Sequence, residues 1–383
     1  RAGLMTGRYP NRFGIRTTVI PPWREDGLDE NEETLADMLA RNGYSNRAII
    51  GKWHLGHTRK VHYPINRGFS HFYGHLNGAI DYFDHMREGE LDWHNDWETC
   101  YDKGYSTELI TQEAVRCINT YEKEGPFLLY VAYNAPHTPL QAQEKDIELY
   151  CDDFGSLTPK EQKRVTYQAM VSCMDRGIGT IVDALKKKGI MDNTFLIFFS
   201  DNGPAGVPGS SSGKLRGRKF DEWDGGVRVP AVFYWKRAES NYKNLSSQVT
   251  GFVDIVPTLK ELVGDKNRPE RAYDGISILP LLIGSTSCID RNFYLGCGAV
   301  VNKDYKLIRK GRKPGLNLPQ DFLVDYQTDP YEKKNASNGN EQIVRSLYQV
   351  ALKYDTITPC LPEIPYGKGR EGFKAPVEWK VTR

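Results

Sequence analysis

The chain has 383 residues, enough to bury a sizeable core and to build a large α/β domain with a smaller appendage. Its 51 basic and 49 acidic side chains leave a formal charge of +2. That excludes a global field for holding nucleic acid or an anionic membrane, so an anionic substrate must be met by a local basic site. No apolar run in the chain approaches the roughly 20 residues that a membrane-spanning helix needs.

Helical patterns alternate with short apolar runs, without internal repeats or low-complexity blocks, which implies βαβ units around a largely parallel sheet. Leu35, Met38 and Leu39 form a helical stripe ending at Gly43; Ala48-Ile49-Ile50 follows as a buried strand that runs into Gly51-Lys52-Trp53-His54. Cys100, Cys117, Cys151, Cys173, Cys288, Cys297 and Cys360 are scattered without a Cys-x-x-Cys pair, so neither a zinc site nor a redox motif is expected from spacing, and most read as buried thiols. Ile110, Ala114, Ile118 and Tyr121 share one helical face, Gly125-Pro126 breaks the chain, and a strand over 127–133 delivers Pro136-His137-Thr138-Pro139. Tyr167, Val171, Met174, Ile178, Ile181 and Leu185 line a long helix stopped by Gly189. The apolar strand over 195–199 then delivers Ser200-Asp201-Asn202-Gly203, and 229–235 reads as a fourth strand. Beyond residue 285 the segments shorten, with strands over 292–295 and 305–308 and a helix over 341–354. The expected division is a catalytic α/β domain over 1–285 and an α+β subdomain over 286–383.

Three strands therefore end in loops rich in ionisable residues, and open α/β sheets bind ligands beyond the carboxyl ends of their strands. On this ground alone Lys52, His54, His137, Asp201 and Asn202 are expected near one another. Asn-x-Ser sequons at Asn244 and Asn335 fit a secretory protein. The chain starts at an Arg with no basic-then-apolar leader, so an upstream segment is expected.

The opening Arg1-Ala2-Gly3-Leu4-Met5-Thr6-Gly7 resembles the second half of the sulfatase signature Cys-x-Pro-Ser-Arg-x-x-Leu-x-Thr-Gly, and Gly43-Tyr44 through Gly51-Lys52-Trp53-His54 resembles the second signature of that family. The remaining landmarks fall in the family's order: Pro136-His137-Thr138-Pro139, Asp201-Asn202-Gly203, and Leu215-Arg216-Gly217-Arg218-Lys219 ahead of Gly225-Gly226. The likeness is strongest to the arylsulfatase B branch, whose members act on sugars. It implies an alkaline-phosphatase-like fold, a largely parallel sheet flanked by helices. It also implies Ca²⁺ or Mg²⁺, and a formylglycine made from a Cys or Ser upstream of residue 1 by a formylglycine-generating or sulfatase-maturating enzyme.

A sulfate monoester is attacked at sulfur, so a site must hold three oxygens, neutralise charge on the leaving oxygen and protonate it. The resemblance assigns Lys52 and Lys219 to the sulfate oxygens, His137 to the leaving group, His54 to the nucleophile's side, and Arg1 to a place beside the nucleophile. Asp201 and Asn202 supply oxygen donors suited to a hard cation. His75, Asn77 and Asp81, in a polar and aromatic stretch with Trp93 and Trp97, are the expected sugar contacts. The expected activity is removal of sulfate from a carbohydrate, with galactose or N-acetylgalactosamine 4-sulfate the favoured units, in a secreted, periplasmic or lysosomal setting. Neither nucleic acid nor a membrane is an expected partner. The alternatives are a phosphonate or phosphodiester hydrolase of the same superfamily and a non-catalytic binder of sulfated glycans.

Overall fold

The computed structural model describes residues 1–16, 18–236, 238, 248–313 and 315–381; the sequon at Asn244 lies outside them. The first half of the chain runs through α1 (Ala2–Thr6), α2 (Leu35–Arg41), β1 (Asn46–Lys52) and β2 (His71–His75). Two hairpins follow, β3 (Met86–Arg87) with β4 (Glu90–Leu91) and β5 (His94–Asn95) with β6 (Glu98–Thr99), and then α3 (Ser106–Thr120) and β7 (Phe127–Ala132). Next come α4 (Glu144–Ile147), α5 (Pro159–Lys188), β8 (Leu196–Phe199), α6 (Asp224–Val227), β9 (Ala231–Tyr234), α7 (Ile255–Leu262) and α8 (Leu279–Leu282). The chain closes with β10 (Phe293–Gly296), β11 (Ala299–Val301), β12 (Tyr305–Ile308), β13 (Phe322–Asp325) and α9 (Glu341–Asp355).

Helix boundaries follow local chemistry. Thr34 and Asp37 form a reciprocal capping box at the start of α2, Thr158 and Glu161 do the same for α5, and α5 ends on Gly189 in the left-handed conformation. The main sheet has the order β6-β5-β2-β1-β7, with β2, β1 and β7 parallel and the short β5–β6 hairpin antiparallel at one edge. Alternation along β1 splits the core: Ile49 packs with α1, α2 and α7, while Ala48 and Ile50 pack with α3 and α5. Helices therefore cover both faces, as a parallel sheet requires.

Among the described residues, strand β7 pairs only with β1, and β8 pairs only with β9, antiparallel. The first five residues of β7 and all of β8 are only half-buried, although nearly all are apolar. Between the two strands lies a slot of about 1240 Å³, walled by Val171, Met174 and Ile178 of α5 and by Ile255, Leu259 and Leu262 of α7. Each strand thus turns a row of unpaired peptide groups toward this slot.

The C-terminal meander runs β10-β11-β12-β13, all antiparallel, with α9 packed against it. Its core is continuous with the N-terminal part of the chain through Tyr9, which meets Phe293, Tyr294 and Tyr354 edge-to-face. The chain after α9 leaves the meander and returns to the N-terminal part of the chain, where Trp23 Nε1 donates to Tyr366 O and Trp379 Nε1 to Arg87 O, both at 2.9 Å. Asn335 keeps its side chain committed, donating to Asp321 O and accepting from Leu323 N, each at 2.9 Å.

A charged knot joins meander to sheet. Lys306 of β12 is fully buried, pairs with Asp224 and with Glu332 (2.7 Å), and donates to Glu222 O at 3.1 Å. Asp224 is held further by Tyr326 Oη, and its own N–H donates to Glu332 Oε2, each at 2.8 Å. Removing one partner of such a group strands a buried charge. We predict that Lys306→Ala lowers unfolding free energy by about 3–5 kcal/mol, whereas Lys186→Ala, which breaks an exposed pair with Asp183, changes it by less than about 1 kcal/mol. Urea denaturation checks both.

Candidate active site

The carboxyl ends of β1, β7 and β8 bring their loops to one end of the slot. Lys52 closes β1 opposite His75, and only glycine fits before it: Gly51 has φ +102°, and a Cβ there would lie 2.3 Å from Ala132 O. Lys52 is 7% exposed, and among the described residues no carboxylate lies within ion-pair distance of it. Burial first, and then the Arg1 guanidinium, lower its pKa to about 7. Arg1 is anchored by Nη1, which donates to Lys52 O at 2.7 Å and Tyr130 Oη at 2.8 Å.

His54 sits at φ 59°, a left-handed conformation that a non-glycine residue adopts only where its surroundings impose it. Its Nε2 donates to Ile20 O at 3.1 Å, leaving Nδ1 as the acceptor. Burial, then Lys52 and Arg1, hold it well below the usual histidine range. His137 has the opposite tautomer. Its Nδ1 donates to Thr138 O at 2.7 Å, so Nε2 carries the free lone pair. Burial and the charge of Lys52 lower its pKa to about 4.

Asp201 follows β8. Burial alone would raise its pKa, but the charges of Lys52, Arg1 and Lys219 outweigh that and keep it ionised. Asn202 Nδ2 donates to Gly203 O at 3.2 Å, which leaves the side-chain oxygen available. Gly203 is a contact point between loops: its N–H donates to Gly226 O at 3.0 Å, and a Cβ on it would lie 1.9 Å from Gly225 O. The same loop pair fixes Lys219, whose N–H donates to Pro204 O at 2.9 Å. The Lys219 loop is in turn held by Arg216, stacked on Trp223 at 3.6 Å and donating to Glu332 O at 2.7 Å, which connects it to the Lys306 knot. Arg1, Lys52, His137, Asp201, Asn202 and Lys219 all line the slot.

The expected sugar contacts do not join them. His75 and Asn77 are fully buried: His75 Nδ1 bonds Asn77 O at 2.9 Å, and Asn77 Nδ2 donates to Asp92 at 2.9 Å. Asp92 also accepts from Leu76 N, Asn77 N and His94 Nε2, and so fixes the loop after β2, to whose Leu76 O the His54 N–H donates at 3.0 Å. The two residues are therefore supports beneath the site, placed inside because β2 is an internal strand. Asp81 is half-buried and spends its carboxylate on Phe83 N, Asp84 N and Gln141 Nε2. Trp93 is fully buried, while Trp97 is exposed and stacked on Tyr63 at 4.3 Å.

Asn134 belongs to the site and was not anticipated. It is 4% exposed, lines the slot beside His137, and among the described residues neither its amide nitrogen nor its oxygen has a partner. A buried amide without partners invites a bound polar group. Its only signal in the sequence is a polar residue at the end of the apolar run over 127–133.

Asp201 and Asn202 fit a hard divalent cation by their donor chemistry, one carboxylate and one amide oxygen, and supply two of the six or more oxygens that Ca²⁺ takes. Around them stand three cationic side chains from Arg1, Lys52 and Lys219. The arrangement is built to receive a tetrahedral anion with a protonatable leaving group. Because anion binding needs charged Lys52, sulfate affinity falls as pH rises through about 7, by up to about tenfold per pH unit. Calorimetric titration with sulfate on either side of pH 7 checks this, and Lys52→Met should remove the fall above that pH.

A model of the sulfatase family matches residues 1–265. Mouse arylsulfatase J is 34% identical over 288 residues, 73% of this chain and 46% of that protein. Mouse N-acetylgalactosamine-6-sulfatase is 31% identical over 307 residues, 74% of this chain and 56% of that protein. The chain thus spans about half the length of these relatives. Among solved structures, Ps i-CgsB in complex with k-i-k-neocarrahexaose superposes with a TM-score of 0.81 at 29% identity, covering 95% of this chain and 83% of that one. No helix among the described residues is long and apolar enough to cross a membrane.

Proposed function

The chain belongs to the sulfatase family, and we propose that the protein hydrolyses sulfate monoesters of a carbohydrate. The observation that carries this is the convergence of Lys52, Lys219, His137, Asp201 and Asn202 at one end of the slot. In the proposed reaction the S–O bond to the sugar breaks, water supplies the new oxygen on sulfur, and the sugar leaves as an alcohol. Lys52 and Lys219 hold sulfate oxygens as compact charges. A bound anion offsets the cationic neighbours of His137, raises its affinity for a proton, and lets Nε2 donate that proton to the leaving oxygen. His54 accepts a proton at Nδ1 on the nucleophile's side, and Arg1, fixed by Lys52 O and Tyr130 Oη, orients that side.

Two groups complete this reading. Asp201 and Asn202 would hold Ca²⁺ or Mg²⁺, which contributes positive charge toward the sulfate oxygens and the nucleophile. A formylglycine, made from a Cys or Ser by a formylglycine-generating or sulfatase-maturating enzyme, would take up that water as its hydrate and so present the attacking oxygen. Two unpaired strand edges facing an apolar slot that ends at Arg1 and Asp201 support a further extended segment of the same protein running between β7 and β8, with that residue at its end.

For substrate we infer galactose-series sulfates. The support is the naming of one relative as an N-acetylgalactosamine-6-sulfatase and the neocarrahexaose bound in the similar structure. The first of these weighs against restricting the reading to 4-sulfate. A secreted, periplasmic or lysosomal setting accords with such substrates. The test uses the protein with its upstream segment and its matured nucleophile, assayed on sulfated oligosaccharides and on aryl phosphonates. Sulfate release should exceed phosphonate cleavage at least a hundredfold; the reverse preference makes it a phosphonate hydrolase, and binding without release makes it a glycan binder. Lys52→Ala should lower kcat by about 10²–10³, the usual loss for one preorganised charged donor.

A further inference from the structure

Away from the slot, three unlike donors meet where β2 touches α3. His71 opens β2; Glu113 and Cys117 lie one turn apart on the face of α3 that packs on it. His71 Nε2 is 2.6 Å from Glu113 Oε1, Cys117 Sγ is 3.8 Å from the same oxygen, and all three donor atoms lie within 4.8 Å of one another. His71 Nδ1 donates to Asp96 Oδ1 at 2.9 Å, and Asp96 is fixed in turn by Phe72 N at 2.9 Å.

We propose that His71, Glu113 and Cys117 form a binding site for a divalent transition metal, with zinc the natural occupant. Because Nδ1 is spent on Asp96, Nε2 and the Glu113 oxygen face each other as two lone pairs unless something positive stands between them. A shared proton joins that pair, and the Cys117 thiol donates its own proton to the same Glu113 oxygen, so three donor atoms converge on one point. A cation of borderline softness can take the place of both protons, since nitrogen, carboxylate and thiolate are its preferred ligands. The Asp96–His71 hydrogen bond is the support that metal-bound imidazoles commonly receive from a carboxylate. A tetrahedral zinc holds neighbouring ligands about 3.3–3.7 Å apart, so Cys117 and Glu113 already stand close to that spacing and His71 must draw back slightly.

Arg116 sets the terms of entry. Its Nε holds Glu113 Oε2 at 2.7 Å, while its Nη2 reaches Oε1 at 2.5 Å, His71 Nε2 at 3.5 Å and Cys117 Sγ at 3.9 Å. The side chain is 54% exposed, so Nη2 can turn to solvent and leave Oε1 to the metal with Oε2 still held. Glu113, the Cys117 thiolate and Asp96 then balance the metal and Arg116 in charge. Binding breaks the Cys117 S–H bond and displaces the proton shared by His71 and Glu113; both protons pass to buffer, and water fills the fourth position.

The test is titration of the chain with Co²⁺ and then Zn²⁺, following thiolate-to-cobalt charge-transfer absorption. Asp201 and Asn202 carry no sulfur, so their site gives no such band. One equivalent of cobalt should produce it, zinc should remove it, and Cys117→Ser should lack it while the other six cysteines remain. Asp96→Asn should weaken zinc about 10–100-fold. Glu113→Gln, which keeps the side chain's shape, replaces Cys117→Ser if that variant does not fold, and should also lack the band at one equivalent. No band in the unaltered chain, or a band that survives these substitutions, overturns the proposal.

Discussion

An internal strand is held in a sheet by hydrogen bonds on both sides, and among the described residues two strands of this molecule pair on one side only. β7 and β8 present their free edges to the same apolar slot, and α5 and α7 turn apolar side chains into it from both faces. Buried peptide groups are almost always paired. A space walled in this way has the shape and chemistry of a missing strand position. The loops that carry Lys52, His137 and Asp201 leave β1, β7 and β8 at the end of that space, so whatever fills it has one end at the site.

Charge gives the site its second constraint. Arg1, Lys52 and Lys219 surround one carboxylate, Asp201, and burial depresses the pKa of Lys52. Such a cluster is relieved by an anion, and the nearby histidines respond in the same direction, since an anion restores their affinity for protons. The scaffold holds this cluster from outside. Asp92 fixes the loop under His54, and the Lys306 knot fixes the Lys219 loop through Asp224, Glu332 and Arg216. The C-terminal meander is thus a brace for the site as well as a separate layer.

Much of this was legible in the residues. Periodicity located the βαβ units to within a residue or two: the strand expected over 195–199 is Leu196–Phe199, and the helix expected over 341–354 is Glu341–Asp355. The strand-end rule alone brought Lys52, His137 and Asp201 together. What periodicity does not encode is which neighbour a side chain meets. His75 and Asn77 were expected as sugar contacts because they are polar, but β2 is internal, and His75 bonds Asn77 O while Asn77 donates to Asp92. Lys306 finds its carboxylate partners 82 and 26 residues away, and Asn134 differs from any other strand-end asparagine only by its surroundings. Cys117 is a similar case: with no second cysteine nearby in sequence, its company with His71 and Glu113 emerges only when α3 folds onto β2.

The central claim, that an extended segment of the same protein completes the sheet between β7 and β8 and so completes the site, is tested most directly by hydrogen exchange. The comparison is between residues 1–383 alone and the same chain extended by the proposed segment. The account predicts that the outward-facing amides of Phe127–Ala132 and Leu196–Phe199 exchange readily in the first and become strongly protected, on both strands together, in the second. Equal exchange in the two proteins would contradict it.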